Sequence, residues 1–239
     1  MTFLLDVDNT LIDNDRAKEV MAARLRDLLG DERATRFWEL YEAVRRDEGM
    51  VNIPLTLARF EQNQGVAAGD STVAADRVTR ERRFALADLL MGFPYEGFLF
   101  PGALEAIAHL RRFGRVAILS DGDPTFQPTK IWRAGLDAAV DGYVLVFGHK
   151  QEHLAEVVAA FPADHYVLVE DKPDVITKVR QRLDAPLTTV LVRQGKYAAT
   201  APAGAWPGAH LTLSAIGDLR GLDAAAFIGA ASDGTAAAR

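Results

Sequence analysis

The sequence predicts an α/β protein: a doubly wound, mostly parallel sheet with an all-helical domain inserted near its start. Short apolar runs rich in branched residues recur along the chain, and most are continuously apolar, as strands buried on both faces of a parallel sheet must be. Amphipathic stretches lie between these runs, but from about Asn14 to Gly97 no strand-like run interrupts them. With 239 residues, 25% charged and 49% hydrophobic, the chain can bury a sizeable core and has room for one large domain with a smaller one inserted.

Phe3 to Val7 is the first strand, and the insertion follows almost at once. Its helix-like segments include Ala17 to Leu29, Arg33 to Arg46 and Thr72 to Met91, and its exit carries Gly92, Pro94 and Gly97, so both connections suit hinges. Ala103 to Phe113 is a further helix: Leu104, Ile107, Ala108 and Leu110 fall on one face, Pro101 precedes it and Gly114 ends it. The remaining strands are Val116 to Leu119, Tyr143 to Phe147, Tyr166 to Val169, Thr188 to Val192 and Leu211 to Leu213. Beyond Leu222 the composition is Ala, Gly and Asp with few large apolar residues, which predicts a frayed tail. The expected division is a core of residues 1–14 and 98–222, a helical insertion at 15–97 and a flexible tail at 223–239.

A net charge of -6, without a long Lys or Arg run to neutralise a row of phosphates, argues against a nucleic-acid partner. The basic residues are 21 Arg and only 6 Lys, so each lysine is worth locating. Cysteine is absent, which excludes disulfides and thiolate metal sites. Acids interrupt the opening apolar stretch where a secretory signal would continue, and no run of about 18 apolar residues occurs. The expectation is a cytoplasmic protein without a membrane partner.

In open α/β sheets ligands gather at the carboxyl ends of the strands. There the sequence places Asp6, Asp8 and Thr10 after the first strand and Ser120, Asp121 and Gly122 after the second. His149 and Lys150 follow the third, and Glu170 and Asp171 the fourth. Two unit charges about 4 Å apart cost roughly 4 kcal/mol at an effective dielectric near 20, so carboxylates gathered at one edge call for a cation. A hard divalent ion, most plausibly Mg2+, answers the repulsion and leaves coordination positions for phosphate oxygens. Lys150 adds a second positive charge, and the Ser120 hydroxyl with the amides of Asp121 and Gly122 are expected to donate to the same phosphate. Such a set favours phosphoryl transfer, in which positioning and charge neutralisation do most of the catalysis.

The run Asp6-Val7-Asp8-Asn9-Thr10, then Ser120, Lys150 and Glu170-Asp171, resembles the four ordered motifs of the haloacid dehalogenase-like hydrolases, over residues 1 to about 222. The insertion sits where that family carries an α-helical cap. The resemblance implies Asp6 as the nucleophile that forms an aspartyl phosphate and Asp8 as the general acid and base. Family members that attack carbon lack an acid at the second position, so the pair favours phosphorus. The resemblance also implies magnesium held by Asp6, the main-chain carbonyl of Asp8 and Asp171, with Glu170 assisting, and phosphate held by Ser120 and Lys150. Lys130 is the other candidate for the third-motif lysine, but it precedes the third strand where the family's lysine follows it. Asn9 stands where glycine is common. Asp174, beside Pro173, suits the first turn of a helix, and whether it joins Glu170 and Asp171 at the metal stays open.

The expected substrate is a small phosphorylated metabolite fitting between cap and core. Between Asn14 and Gly97 there are 13 basic and 15 acidic residues, so the cap is no basic trap. Arg45, Arg46 and Arg59 are its candidates for a bidentate contact, though such residues are more often solvated helix-face residues. Trp38 and Tyr41, three apart, have the spacing of packing residues. Two alternatives stay open: a phosphomutase of the same superfamily, and a non-catalytic phospho-acceptor or phosphate-binding module. A phosphonate hydrolase would need an amine-forming lysine in the cap, where Lys18 is the only one.

Overall fold

The computed structural model describes residues 1–62, 73–200, 206 and 208–236. The first strand, β1 (Thr2–Leu5), is buried throughout. The chain then stays helical through α1 (Asn14–Leu29), α2 (Asp31–Glu48), α3 (Ile53–Gln62) and α4 (Val73–Met91), and a 3-10 turn at Tyr95–Phe98 returns it to the sheet. Thr72, the expected start of the last of these helices, lies outside the described residues.

Local chemistry sets the helix ends. Asp13 caps α1 by accepting from the Arg16 amide at 3.0 Å, and the Asn52 side chain accepts from the Leu55 amide at 2.9 Å ahead of α3. Gly49, at φ 71°, ends α2 in the left-handed conformation that a side chain resists. One stripe of each helix is buried: Ala17, Met21 and Leu25 on α1, Ala34, Phe37, Tyr41 and Val44 on α2, Ile53, Thr56 and Phe60 on α3. Phe37 joins two of these helices, its ring edge-on to Phe60 at 5.4 Å.

After the insertion come α5 (Ala103–Leu110), β2 (Arg115–Asp121), α6 (Phe126–Arg133), α7 (Leu136–Ala139) and β3 (Val144–Phe147). Next are a 3-10 turn at Lys150–Glu152, α8 (Leu154–Ala160), β4 (Tyr166–Glu170), α9 (Pro173–Arg182) and β5 (Leu187–Val192). The described chain closes with α10 (Gly195–Thr200), β6 (Leu211–Leu213), a 3-10 turn at Ile216–Gly221 and α11 (Ala224–Ala236). The six strands form one sheet in the order β3-β2-β1-β4-β5-β6, every pairing parallel. Successive residues of β1 serve opposite faces. Phe3 and Leu5 join a core containing Ile107 and Leu110 of α5, whereas Leu4 joins one with Val157 of α8 and Ile176 of α9.

The chain winds outward from β1 to β3 and then returns to lay β4 against the other side of β1. The strand order therefore reverses between β1 and β4, which is where such sheets open a crevice at their carboxyl ends. Asp6 leaves β1 there, its amide bonded to the Val169 carbonyl at 3.0 Å, and Glu170 is the last residue of β4.

Over Ala224–Ala236 the expected frayed tail is instead the helix α11, and 237–239 lie outside the described residues. Phe227 is fully buried and meets the Phe3 ring edge-on at 5.2 Å, and its carbonyl accepts from the Thr188 hydroxyl at 2.6 Å. A single aromatic docks an otherwise small-residue segment, so composition alone conceals it. Phe227→Ala should cost about 3–5 kcal/mol, as loss of a buried ring does, read as a fall in the urea midpoint at unchanged slope. A loss below about 1 kcal/mol would mean that α11 contributes little to the core.

Candidate active site

The first-motif turn is built on Asn9. Its φ of 63° lies in the left-handed region, which asparagine tolerates better than most residues, and its side-chain oxygen accepts from the amides of Asn14 at 3.1 Å and Asp15 at 3.2 Å. The glycine common at this position and Asn9 thus meet one conformational demand, and Asn9 also caps α1. The turn directs Asp6 into the protein, where it is 1% exposed, and leaves the Asp8 side chain 27% exposed in the wall of a cleft.

Asp6 is held from two sides. Its Oδ1 accepts from Lys150 Nζ at 2.5 Å and its Oδ2 from the Thr10 hydroxyl at 3.2 Å. Lys150, fully buried, also donates to the Leu119 carbonyl at 3.1 Å and lies 2.6 Å from Glu170 Oε2. The ammonium thus donates to two protein acceptors and is ion-paired with a third group. Asp121 fixes the loop that carries this lysine, because its carboxylate accepts from the Lys150 amide at 2.7 Å.

Glu170 Oε1 accepts from the amides of Asp171 and Lys172, both at 3.1 Å. Asp171 has no such support: both its carboxylate oxygens are buried without a hydrogen-bond partner. Asp6, Glu170 and Asp171 each bring a carboxylate oxygen within 4.8 Å of the others. Burial, with Glu170 and Asp6 as neighbours, pushes Asp171 up to about 10, and burial with Glu170 raises Asp6 to about 6. Burial alone would raise Glu170 too, but Lys150 and Lys172 together hold it down at about 2. Three acids face two lysines, and the unpartnered acid absorbs the imbalance. A hard divalent cation fits this set: it would supply the missing charge and ligate the orphaned oxygens of Asp171.

The expected phosphate donors fare differently. Ser120 is buried at the end of β2, its oxygen accepting from Gln127 Nε2 at 2.9 Å. The amide of Gly122 is not free to donate to a ligand, contrary to expectation, because it donates to the Phe147 carbonyl at 2.8 Å. The ladder between β2 and β3 extends through Asp121 and claims the next amide. Glycine is required there for space, since a Cβ would come within 2.8 Å of Gln127 Cβ. Asp174 is exposed in the first turn of α9, outside the acid cluster, where it complements the helix dipole.

The cleft, about 260 Å³, lies between the sheet edge and the helical insertion, with Asp8, Lys172 and His149 on one side and Lys18, Tyr41 and Arg45 on the other. Trp38 and Tyr41 pack edge-on at 5.1 Å, as their spacing predicts, and both also line the cleft under the Lys18 ammonium. Of the three cap arginines singled out, only Arg45 lines the cleft; Arg59 pairs with Asp47 at 2.9 Å.

The residue whose role the sequence did not show is Lys130. It does not stand in for Lys150 at Asp6. Reaching across from α6, 3% exposed, it ion-pairs with Asp8 Oδ1, donates to Asn14 Oδ1 at 2.5 Å and lies over the Tyr95 ring at 5.0 Å. The scarcity of lysine was the available signal. Four of the six lysines, Lys18, Lys130, Lys172 and Lys196, line the cleft and Lys150 lies behind it, leaving only Lys178 elsewhere. Among the described residues, no helix is long and apolar enough to cross a membrane.

A profile described as haloacid dehalogenase-like hydrolase matches residues 1–192. A solved structure described as a haloacid dehalogenase-like hydrolase, from Burkholderia xenovorans LB400, is 35% identical. That match covers 93% of this chain and 98% of the other, with a TM-score of 0.78. A hydrolase of the same description from Xanthomonas campestris is 16% identical over 98% of this chain and 94% of its own, with a TM-score of 0.62. The L-2-haloacid dehalogenase of Xanthobacter autotrophicus, solved with chloropropionic acid covalently bound, is 18% identical over 92% and 97%, with a TM-score of 0.56. At such identities the last two share the fold alone. No curated protein matches the chain.

Proposed function

The chain belongs to the haloacid dehalogenase-like hydrolases, and from that premise we propose that it hydrolyses a small phosphomonoester through an aspartyl-phosphate intermediate. One observation carries the choice of phosphorus over carbon: a second acid, Asp8, stands two residues beyond Asp6 and faces the cleft. Displacing halide from carbon needs no proton donor, whereas expelling an alkoxide from phosphorus does.

Asp6 forms a bond to phosphorus as the ester P–O bond breaks in line with it, and Asp8 gives its proton to the departing oxygen. Asp8 then takes a proton from the water that attacks the phosphoryl group, which restores Asp6 and releases inorganic phosphate. Lys150, bonded to Asp6 and the Leu119 carbonyl and ion-paired with Glu170, keeps Asp6 in place for this attack, and the Ser120 hydroxyl is the side-chain donor for the phosphoryl oxygens. Asp6, the Asp8 carbonyl, Asp171 and Glu170 are the residues that would hold Mg2+. Bound there, the ion neutralises charge on the transferring group. Closure of the helical insertion over the cleft excludes bulk water.

Steady-state release of inorganic phosphate from 4-nitrophenyl phosphate, with Mg2+ and with EDTA, tests this reading. Turnover should appear with Mg2+, vanish in chelator and return when Mg2+ is restored in excess. Free phosphate as product separates hydrolysis from the mutase alternative, which returns the phosphoryl group to its substrate. Undiminished turnover in chelator would remove the metal from the mechanism.

A further inference from the structure

We propose that Lys130 is a positioning residue for proton transfer: it holds Asp8 by Oδ1 so that the other carboxylate oxygen is the one offered to the leaving group. This rests on the phosphatase reading above. Lys130 is almost fully buried, although burying a lysine is costly unless its charge is used. Its ammonium has three identified neighbours: Asp8 Oδ1, Asn14 Oδ1 at 2.5 Å and the face of Tyr95 at 5.0 Å. Two of these lie on different parts of the site. Asp8 belongs to the first-motif turn, and Asn14 is the first residue of α1, where the chain enters the helical insertion. A carboxylate in a cleft wall, 27% exposed and with no other side-chain partner among the described residues, would otherwise rotate among several orientations. An ammonium fixed by the packing of α6 removes that freedom. Lys150 does the corresponding task for Asp6, so each of the two first-motif acids is gripped by its own lysine, one before β3 in sequence and one after it.

Proton donation matters in proportion to the basicity of the leaving oxygen, and this separates positioning of Asp8 from a general role in packing. The comparison uses 4-nitrophenyl phosphate, whose leaving group departs readily as an anion, and phenyl phosphate, similar in shape but with a more basic leaving group. Both are assayed with Mg2+ for the parent chain, Lys130→Met and Lys130→Arg. Lys130→Met should lose at least about 30-fold in kcat on phenyl phosphate but no more than about 3-fold on 4-nitrophenyl phosphate, with KM changing less than about 3-fold on either. Lys130→Arg, which keeps the charge and the donors, should recover much of the loss. Equal losses on both esters, or no loss on either, would overturn the proposal, as would failure of Lys130→Arg to recover any activity while folded by circular dichroism. If Lys130→Met does not fold, Lys130→Gln, which retains a donor at that depth, must show the same unequal loss. A parent chain that hydrolyses neither ester overturns the phosphatase reading itself.

Discussion

Asp6→Asn should lower kcat by about 10,000-fold or more, the scale seen when a nucleophile that works as a unit with its partners is removed, while the chain remains folded. The amide keeps the shape and still offers Lys150 an oxygen, and the Thr10 hydroxyl can turn from donor to acceptor towards the new NH2 group. It cannot attack phosphorus. Stability moves the other way from activity. Asp6 sits at about 6 in the fold, above its ordinary value near 3.8, because burial and Glu170 disfavour its charge. The folded chain therefore holds more protons than the unfolded one between those values, and the favourable contribution of protonated Asp6 is lost as pH rises from about 4 to 6. At neutral pH the parent bears that cost in full and the variant does not. Metal-free Asp6→Asn should thus melt at or above the parent temperature at pH 7.5. Turnover retained at a tenth of the parent value would sink the nucleophile assignment.

What the sequence made legible follows from which forces act locally. Strands buried on both faces must be apolar at every position, so Val116 to Leu119 and Tyr166 to Val169 announce themselves without reference to their neighbours. The acids at strand ends are legible for the same reason: Glu170 and Asp171 directly follow an apolar run that cannot itself tolerate them. Lys130 is different. Its partner lies 122 positions earlier in the chain, and a lysine on an eight-residue helix carries no mark of whether it faces water or a catalytic acid. The Gly122 amide was misassigned because a strand's hydrogen-bond ladder can run two residues past its apolar run and claim the next amide, a matter of register that no side chain records. Phe227 was hidden by its company of alanines, since docking α11 takes one well-placed ring and not a stripe.

Asp171→Asn should separate metal binding from folding more cleanly than any other change. In the metal-free chain Asp171 is driven up to about 10 by burial, Glu170 and Asp6, so at neutral pH it is protonated and already resembles an amide in charge and shape. Replacing it should leave the metal-free melting temperature unchanged or slightly raised. From pH 6 to 8 the folded parent keeps a proton on Asp171 that the unfolded chain has released, so its metal-free stability should fall by roughly a kcal/mol per pH unit, a slope that Asp171→Asn lacks. Mg2+ should reverse the comparison. Ligands must be deprotonated to bind a cation, so saturating Mg2+ displaces that proton and stabilises the parent, by about 2.7 kcal/mol at a concentration one hundred times Kd. For a chain of this size that is a rise of roughly 5–10 °C in Tm. The variant, with its two orphaned oxygens reduced to one neutral carbonyl, should show little or no rise and lose phosphatase turnover. An equal Mg2+-induced rise in both proteins would place the ion away from Asp171, and the acid cluster would then need another account of why an unpartnered carboxyl is buried at the switch point of the sheet.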